Sequence, residues 1–115
     1  MINFTNKQKD TLDKAREVYG IKSQLAVTAE ECNELSIAVL KFMRYADVES
    51  GLEHTREDVL EERVDVEIML SHIDEIYKIT SEEVEKMARD KINRLKRWLS
   101  HSADMEYTTI DRDVR

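Results

Sequence analysis

The chain contains no proline and only two glycines, Gly20 and Gly51, in 115 residues. Turns between β-strands depend on glycine, proline, asparagine and aspartate, so a chain this poor in them can hold only a few long elements joined by short links. A charged content of 37% with 6% aromatic residues is typical of helix bundles. These features predict an all-α fold, and the length predicts a single domain.

Apolar residues recur at helical spacing in four segments, which predicts a bundle of four amphipathic helices with antiparallel neighbours. The predicted helices run from about Asn6 to Tyr19, from between Lys22 and Thr28 to about Tyr45, from about Thr55 to Tyr77, and from about Thr80 to Leu99. Capping-box spacing begins the first, third and fourth of them. A loop is expected from Ala46 to His54. Residues 1–100 are interpreted as the helical domain and residues 101–115 as a tail or subunit-contacting arm.

The composition also bears on partners and location. A net charge of −7 disfavours nucleic-acid binding, which depends on basic residues that neutralise phosphates. The single cysteine, Cys32, cannot form an intramolecular disulfide, which favours a reducing compartment. No apolar run approaches the length of a membrane span, and the first residues lack the layout of a signal peptide. We therefore expect a cytoplasmic protein without a membrane partner.

Two acidic motifs interrupt apolar stripes instead of lying on the polar sides of predicted helices 2 and 3. Glu31 and Glu34 are three residues apart and share one helix face, and Glu62 and Asp65 repeat that spacing on the next helix. Partly buried carboxylates are costly unless a cation neutralises them. The pattern therefore predicts that these four residues bind divalent metal, and their hard oxygen ligands suit Mg²⁺, Mn²⁺ or Ca²⁺. His54, His72 and His101 form no ligand spacing with one another, and His72 is expected on a helix surface.

Two other interpretations are open at this stage. With 25 acidic residues in 115, some i,i+3 pairs arise by chance, and a non-catalytic helical bundle that binds a partner protein would also have amphipathic helices. It would not explain carboxylates inside apolar stripes. A carboxylate-bridged di-iron bundle uses Glu-x-x-His pairs, and neither Glu31 nor Glu62 is followed by histidine three residues later, so it ranks last.

The motifs Glu30–Leu35 and Glu62–Val66 resemble the Glu-Glu-x-x-Glu and Glu-x-x-Asp motifs of the all-α nucleoside triphosphate pyrophosphohydrolases, which include the MazG proteins and the dimeric dUTPases. Lys91–Arg94 is similar to the basic, asparagine-bearing stretch on the family's last core helix. The resemblance covers roughly Leu25 to Trp98. Many members carry small or apolar residues inside the second motif, where this chain has Arg63, which is expected to point outward.

The resemblance implies hydrolysis of a nucleoside triphosphate to a nucleoside monophosphate and pyrophosphate with Mg²⁺, for which Mn²⁺ is a substitute. Beside the four metal ligands, Glu30 or Glu61 is the candidate to orient a ligand or accept a proton from the attacking water. The candidate substrate-binding residues are Lys41, Arg44, Lys91, Asn93 and Arg94. The family commonly builds its sites between subunits, so a homodimer or homotetramer is expected.

Overall fold

A computed structural model describes residues 1–45 and 49–103. These described residues form four α-helices and contain no strand. The helices are α1 (Asn6–Tyr19), α2 (Ile21–Tyr45), α3 (Glu49–Tyr77) and α4 (Ser81–Ala103). The prediction of an all-α chain with four helices is confirmed. None of the described helices combines the length and the apolar character that crossing a membrane requires.

The chain divides into two compact units, one from Met1 to Lys78 with α1, α2 and α3, and one that starts at Ile79 and contains α4. Within the first unit α2 packs closely along α3. Glu31 lies 14 residues before the end of α2 and Glu62 lies 13 residues after the start of α3, and their carboxylates meet. At 1.5 Å per residue both are about 20 Å from the link between the helices, so α2 and α3 run antiparallel.

Reciprocal side-chain caps begin α1 and α4, as their sequences predict. The Thr5 hydroxyl accepts a hydrogen bond from the backbone N–H of Gln8 at 3.2 Å, and the Gln8 side chain accepts one from the backbone N–H of Thr5 at 2.8 Å. Thr80 and Glu83 repeat both bonds with the same two distances. These caps satisfy backbone donors that have no partner inside the helix.

A single residue, Gly20, joins α1 to α2. Its backbone has φ 87° and ψ 158°, a conformation that L-residues other than glycine rarely adopt. The Gly20 N–H donates to the carbonyl of Arg16 at 2.9 Å, and the Gly20 carbonyl accepts from the N–H of Gln24 at 3.1 Å. Because the turn is this short, α2 begins at Ile21, one residue before the expected range.

The loop predicted from Ala46 to His54 is wrong for its second part, because α3 already begins at Glu49. Residues 46–48 lie outside the described part of the chain. Thr55, which was predicted to cap this helix, lies inside it and is only 4% exposed. One glycine costs a helix only about 1 kcal/mol relative to alanine, and the segment contains no proline, so Gly51 does not stop the helix.

The last helix also extends beyond its predicted end near Leu99, to Ala103. In its final turn the Ser102 hydroxyl donates to the backbone carbonyl of Trp98 at 2.8 Å. Most of the predicted tail or arm, residues 104–115, lies outside the described residues.

The buried residues of the first unit are more polar than the sequence pattern predicts. Ala38 and Met69 are the buried hydrophobic residues of the described chain. The buried polar residues are Gln24, Thr28, Thr55, Glu67 and His72. Several apolar residues at helical spacing are instead exposed, including Val39 and Met43 on α2 and Leu70 on α3, because the α2–α3 contact covers only one side of each helix.

We predict that Gly20→Ala lowers the free energy of unfolding by about 1–3 kcal/mol, the cost of holding a residue with a Cβ atom in this backbone conformation. No atom lies within 4 Å of a Cβ built at Gly20, so a steric clash would not contribute. The matched control is Gly51→Ala inside α3, which we expect to stabilise by about 0.5–1 kcal/mol. Urea denaturation of both variants measures the difference, and equal stabilities would contradict the prediction.

Candidate metal centre

Three of the predicted ligands come together between α2 and α3. Glu31 of α2 and Glu62 and Asp65 of α3 each offer a carboxylate oxygen, and these three oxygens all lie within 4.8 Å of one another. All three residues are partly buried. We call Glu31, Glu62 and Asp65 the carboxylate triad.

The packing of the two helices produces this convergence. Thr28 and Ala38, which are three residues before and seven residues after Glu31, are buried, so Glu31 lies on the packed face of α2. Met69 is buried one turn after Asp65, which places the α3 carboxylates on the face that meets α2. Glu31, Glu62 and Asp65 therefore interrupt packed helix faces, whereas Glu34 is exposed.

The electrostatics of the triad are those of crowded like charges. Burial raises the pKa of the Glu31 carboxyl above its ordinary value of 4.5, and the charges of Asp65, Glu34 and Glu30 raise it further. Burial likewise raises the pKa of Glu62, with Asp65 and Glu31 next in effect. Each change in pKa means that the anionic form is less favourable here than in water.

No lysine or arginine within residues 1–45 and 55–102 forms an ion pair with a triad carboxylate. Glu67, two residues after Asp65, shows the opposite environment. It accepts hydrogen bonds from the backbone N–H of Ile2 at 2.5 Å and from Arg63 at 2.8 Å. Burial raises the pKa of Glu67, but these bonds and nearby positive charges outweigh burial, so its pKa lies below the ordinary value. Arg63 pairs with Glu67 and not with the triad, and its side chain is 55% exposed. The expectation that Arg63 points outward is therefore confirmed.

The other acidic residues of the two motifs surround the triad. Glu34 is exposed and is not one of the three mutually close carboxylates, yet its charge raises the pKa of both Glu31 and Glu62. Glu30 and Glu61 are exposed and act in the same way on their immediate neighbours. The structure thus brings three of the four predicted ligands together and leaves the fourth at the edge.

The predicted substrate-binding residues are exposed. Lys41 and Arg44 lie in the last two turns of α2, and Lys91, Asn93 and Arg94 lie on α4 in the second unit. None of the five side chains forms a hydrogen bond or ion pair with another described residue. Their role in phosphate or sugar binding stays a prediction.

The expectation that His72 lies on a helix surface is wrong, because it is only 2% exposed. Its Nδ1 atom is 2.9 Å from Nη1 of Arg16 on α1. His72 follows Asp65 by seven residues, which is two helical turns, so the two residues share a face of α3. That spacing was the available sequence signal for its burial.

The donor set fits a hard divalent cation. Three carboxylates from two helices supply only oxygen ligands, which Mg²⁺ and Mn²⁺ prefer, and no histidine or cysteine belongs to the triad.

Comparisons with models of known protein families, with curated proteins and with solved structures found no match to this chain. The resemblance to the all-α pyrophosphohydrolases therefore still stands on the two motifs alone.

We predict that metal-free protein becomes less stable as pH rises from 4.5 through the raised pKa values of Glu31 and Glu62. In that range the folded chain binds more protons than the unfolded chain, so each increase in pH favours unfolding. Glu62→Gln should reduce this decline and raise the melting temperature at neutral pH in the presence of a chelator. Glu57→Gln, an exposed change on the same helix, is the control. A decline of equal size in both variants would refute the prediction.

Proposed function

We propose that this protein is a Mg²⁺-dependent nucleoside triphosphate pyrophosphohydrolase. The observation that supports the proposal is the carboxylate triad, whose oxygens lie within 4.8 Å of one another without a basic partner among the described residues. A divalent cation relieves the repulsion among three such groups, and a triphosphate is a natural further ligand for that cation.

In this proposal Glu31, Glu62 and Asp65 hold the metal, and Glu34 at the edge completes the ligand set. A bound Mg²⁺ would supply charge stabilisation for the phosphoryl oxygens and a lower pKa for a bound water. Hydrolysis adds one water across the anhydride between the α- and β-phosphates and yields the monophosphate and pyrophosphate. The metal-binding residues themselves cannot attract an anionic substrate, so the metal is required for binding as well as for the reaction.

The remaining predicted residues take supporting roles. Glu30 and Glu61 are exposed beside the triad, where a carboxylate can accept a proton from the attacking water. Lys41 and Arg44 are exposed cations on the same helix as Glu31 and are the proposed phosphate-binding groups of the first unit. Lys91, Asn93 and Arg94 are the corresponding candidates on α4. A cytoplasmic location belongs to the same proposal, because that is where nucleoside triphosphates are used.

The alternatives predict different behaviour. A bundle that only binds a partner protein has no use for three partly buried carboxylates that repel one another. A di-iron centre would place histidine beside the glutamates, whereas the triad contains oxygen ligands only. Metal analysis of purified protein separates the iron centre from the proposed site.

We predict that Mg²⁺ or Mn²⁺ raises the melting temperature of the wild-type protein and that a non-hydrolysable triphosphate raises it further. Ligands that bind only the folded state stabilise it in proportion to the logarithm of their concentration over Kd. Asp65→Asn should lose most of the metal-dependent increase, while Glu57→Gln keeps it. A wild-type melting temperature that no metal and no nucleotide changes would support the partner-binding bundle instead.

We predict that Glu34→Gln and Asp65→Asn each lower kcat by about 100-fold or more, comparable to the loss of one electrostatic stabiliser in other enzymes. Pyrophosphate release across a panel of nucleoside triphosphates measures this effect. Circular dichroism should show unchanged helix content in both variants. Normal turnover in Asp65→Asn would refute the metal site, and normal turnover in Glu34→Gln alone would limit the ligands to the triad.

We also propose that the protein works as a homodimer or homotetramer. Ile21, Val39 and Met43 share one side of α2, at spacings of 18 and 4 residues, and are 55%, 42% and 67% exposed. Ile21 begins the helix and Val39 and Met43 lie in its last two turns, so this side of α2 exposes apolar surface near both of its ends. A second copy of the chain would remove it from water.

We predict that Met43→Glu shifts the protein toward the monomer, because it places a charge in the middle of an apolar contact. Light scattering coupled to gel filtration measures the mass. The control is Lys22→Glu, which is on the same helix and exposed but outside the apolar side. A wild-type monomer at micromolar concentration would contradict the proposed assembly.

A further inference from the structure

The first helix has little apolar packing against the rest of the first unit. α1 contains no buried residue, and Val18 and Tyr19 at its end are 61% and 66% exposed. Among the described residues, α1 packs on α2 far less extensively than α3 does. A helix of 14 residues is only marginally stable in water by itself. The docking of α1 therefore depends strongly on the polar contacts that join it to another helix.

Arg16 makes the contact between α1 and the buried histidine of α3. Its Nη1 atom lies 2.9 Å from Nδ1 of His72, which is 2% exposed. Arginine only donates hydrogen bonds, so Nδ1 accepts and the proton of the neutral ring is on Nε2. Asp13, one turn earlier on α1, forms an ion pair with Arg16 and so orients the guanidinium. A protonated imidazole has no acceptor, so this contact exists only while His72 is neutral.

The surroundings of His72 favour its neutral form. Burial has the largest effect and lowers the pKa of the ring, the charge of Arg16 lowers it next, and the charge of Asp13 raises it least. Both charged residues are on α1, and among the described residues no charged group of α2 acts on the ring. On α3 itself, Glu75 lies one turn after His72 and accepts a hydrogen bond from Lys78 at 3.0 Å. Protonation of His72 would therefore place a second buried cation against Arg16.

The two ends of α1 are attached in different ways. Before the helix, the backbone N–H of Ile2 donates to Glu67 of α3 at 2.5 Å. After the helix, Gly20 alone leads into α2, and glycine has access to a wider range of backbone conformations than any other residue. Arg16 lies one turn before Gly20. Loss of its contact with His72 would therefore loosen the C-terminal half of α1, while the N-terminal half keeps the attachment at Ile2.

We infer that the contact between Arg16 and His72 is a pH-sensitive switch, which docks the C-terminal half of α1 on α3 while His72 is neutral and releases it when His72 is protonated. In the released state the ring reaches water and its pKa returns toward the ordinary value of 6.5. The released form then binds a proton more readily than the docked form, so release increases as pH falls below 6.5. Neither residue belongs to the carboxylate triad, and the switch does not depend on the proposed function.

The test measures backbone hydrogen exchange in the full-length wild type at about pH 7.5 and about pH 5, with each rate divided by the intrinsic exchange rate at that pH. At pH 5 a ring with a pKa of 6.5 is protonated about 30-fold more often than not. We therefore expect the protection of amides from Leu12 to Tyr19 to fall about 10-fold or more at the lower pH. The amides of α2 and α3 should keep their protection.

Three variants separate the switch from other effects of pH. His72→Asn keeps an acceptor where Nδ1 lies but binds no proton in this range, so protection in α1 should be equal at both pH values. Arg16→Met removes the donor, so protection in the C-terminal half of α1 should be low at both. Lys9→Met removes an exposed cation from the same helix and should behave as the wild type does.

A measurement on the wild type alone covers the case in which a variant does not fold. Titration of the His72 ring protons by NMR should give a pKa below 6.5, and the loss of protection in α1 should follow the same curve. A His72 ring that titrates at or above 6.5 would overturn the inference.

The exchange data can also contradict the switch directly. Constant protection of α1 in the wild type between the two pH values would overturn it. So would an equal loss of protection in His72→Asn, or wild-type protection of α1 in Arg16→Met at neutral pH. A parallel loss in α2 and α3 of the wild type would indicate general acid unfolding and would overturn it as well.

Discussion

Repulsion among three carboxylates is the interaction on which the interpretation of this structure depends. The contact between α2 and α3 forces Glu31, Glu62 and Asp65 together, and partial burial and the neighbouring negative charges both oppose the anionic forms of Glu31 and Glu62. Among the described residues, no basic side chain and no backbone N–H pairs with these carboxylates to reduce their repulsion. The packing of α2 on α3 therefore offsets it. The repulsion lowers the stability of the metal-free folded protein. When a divalent cation binds, the same negative charges favour its binding.

Glu67 shows that this chain also contains a conventionally stabilised buried acid. It lies two residues after Asp65 on the same helix, yet hydrogen bonds from Ile2 and Arg63 keep its anion favourable. The contrast between two acids so close in sequence indicates that the unpaired state of the triad is a property of its position and not of the helix. It also explains why Arg63 can interrupt the second acidic motif without neutralising it.

The sequence predicts the helices well where local chemistry decides them and less well where tertiary contacts do. The caps at Thr5 and Thr80 are local and were predicted correctly. The predicted start of α3 is wrong because a polar stretch with one glycine, followed by capping-box spacing at Thr55, resembles a loop, although one glycine costs little beside the packing of a 29-residue helix. Periodicity places the triad on packed faces and His72 on the same face as Asp65, but no local pattern indicates the contact of His72 with Arg16, 56 residues away.

The one-residue connection at Gly20 makes the rotational phase of α1 depend on chain length. Insertion or deletion of a single residue between Arg16 and Gly20 would turn the helix by about 100° relative to the connection and carry the guanidinium away from α3. Longer loops usually accommodate such changes in length, but this connection contains only one residue. Length variation in this chain should therefore be tolerated far less at this junction than at the ends of the chain.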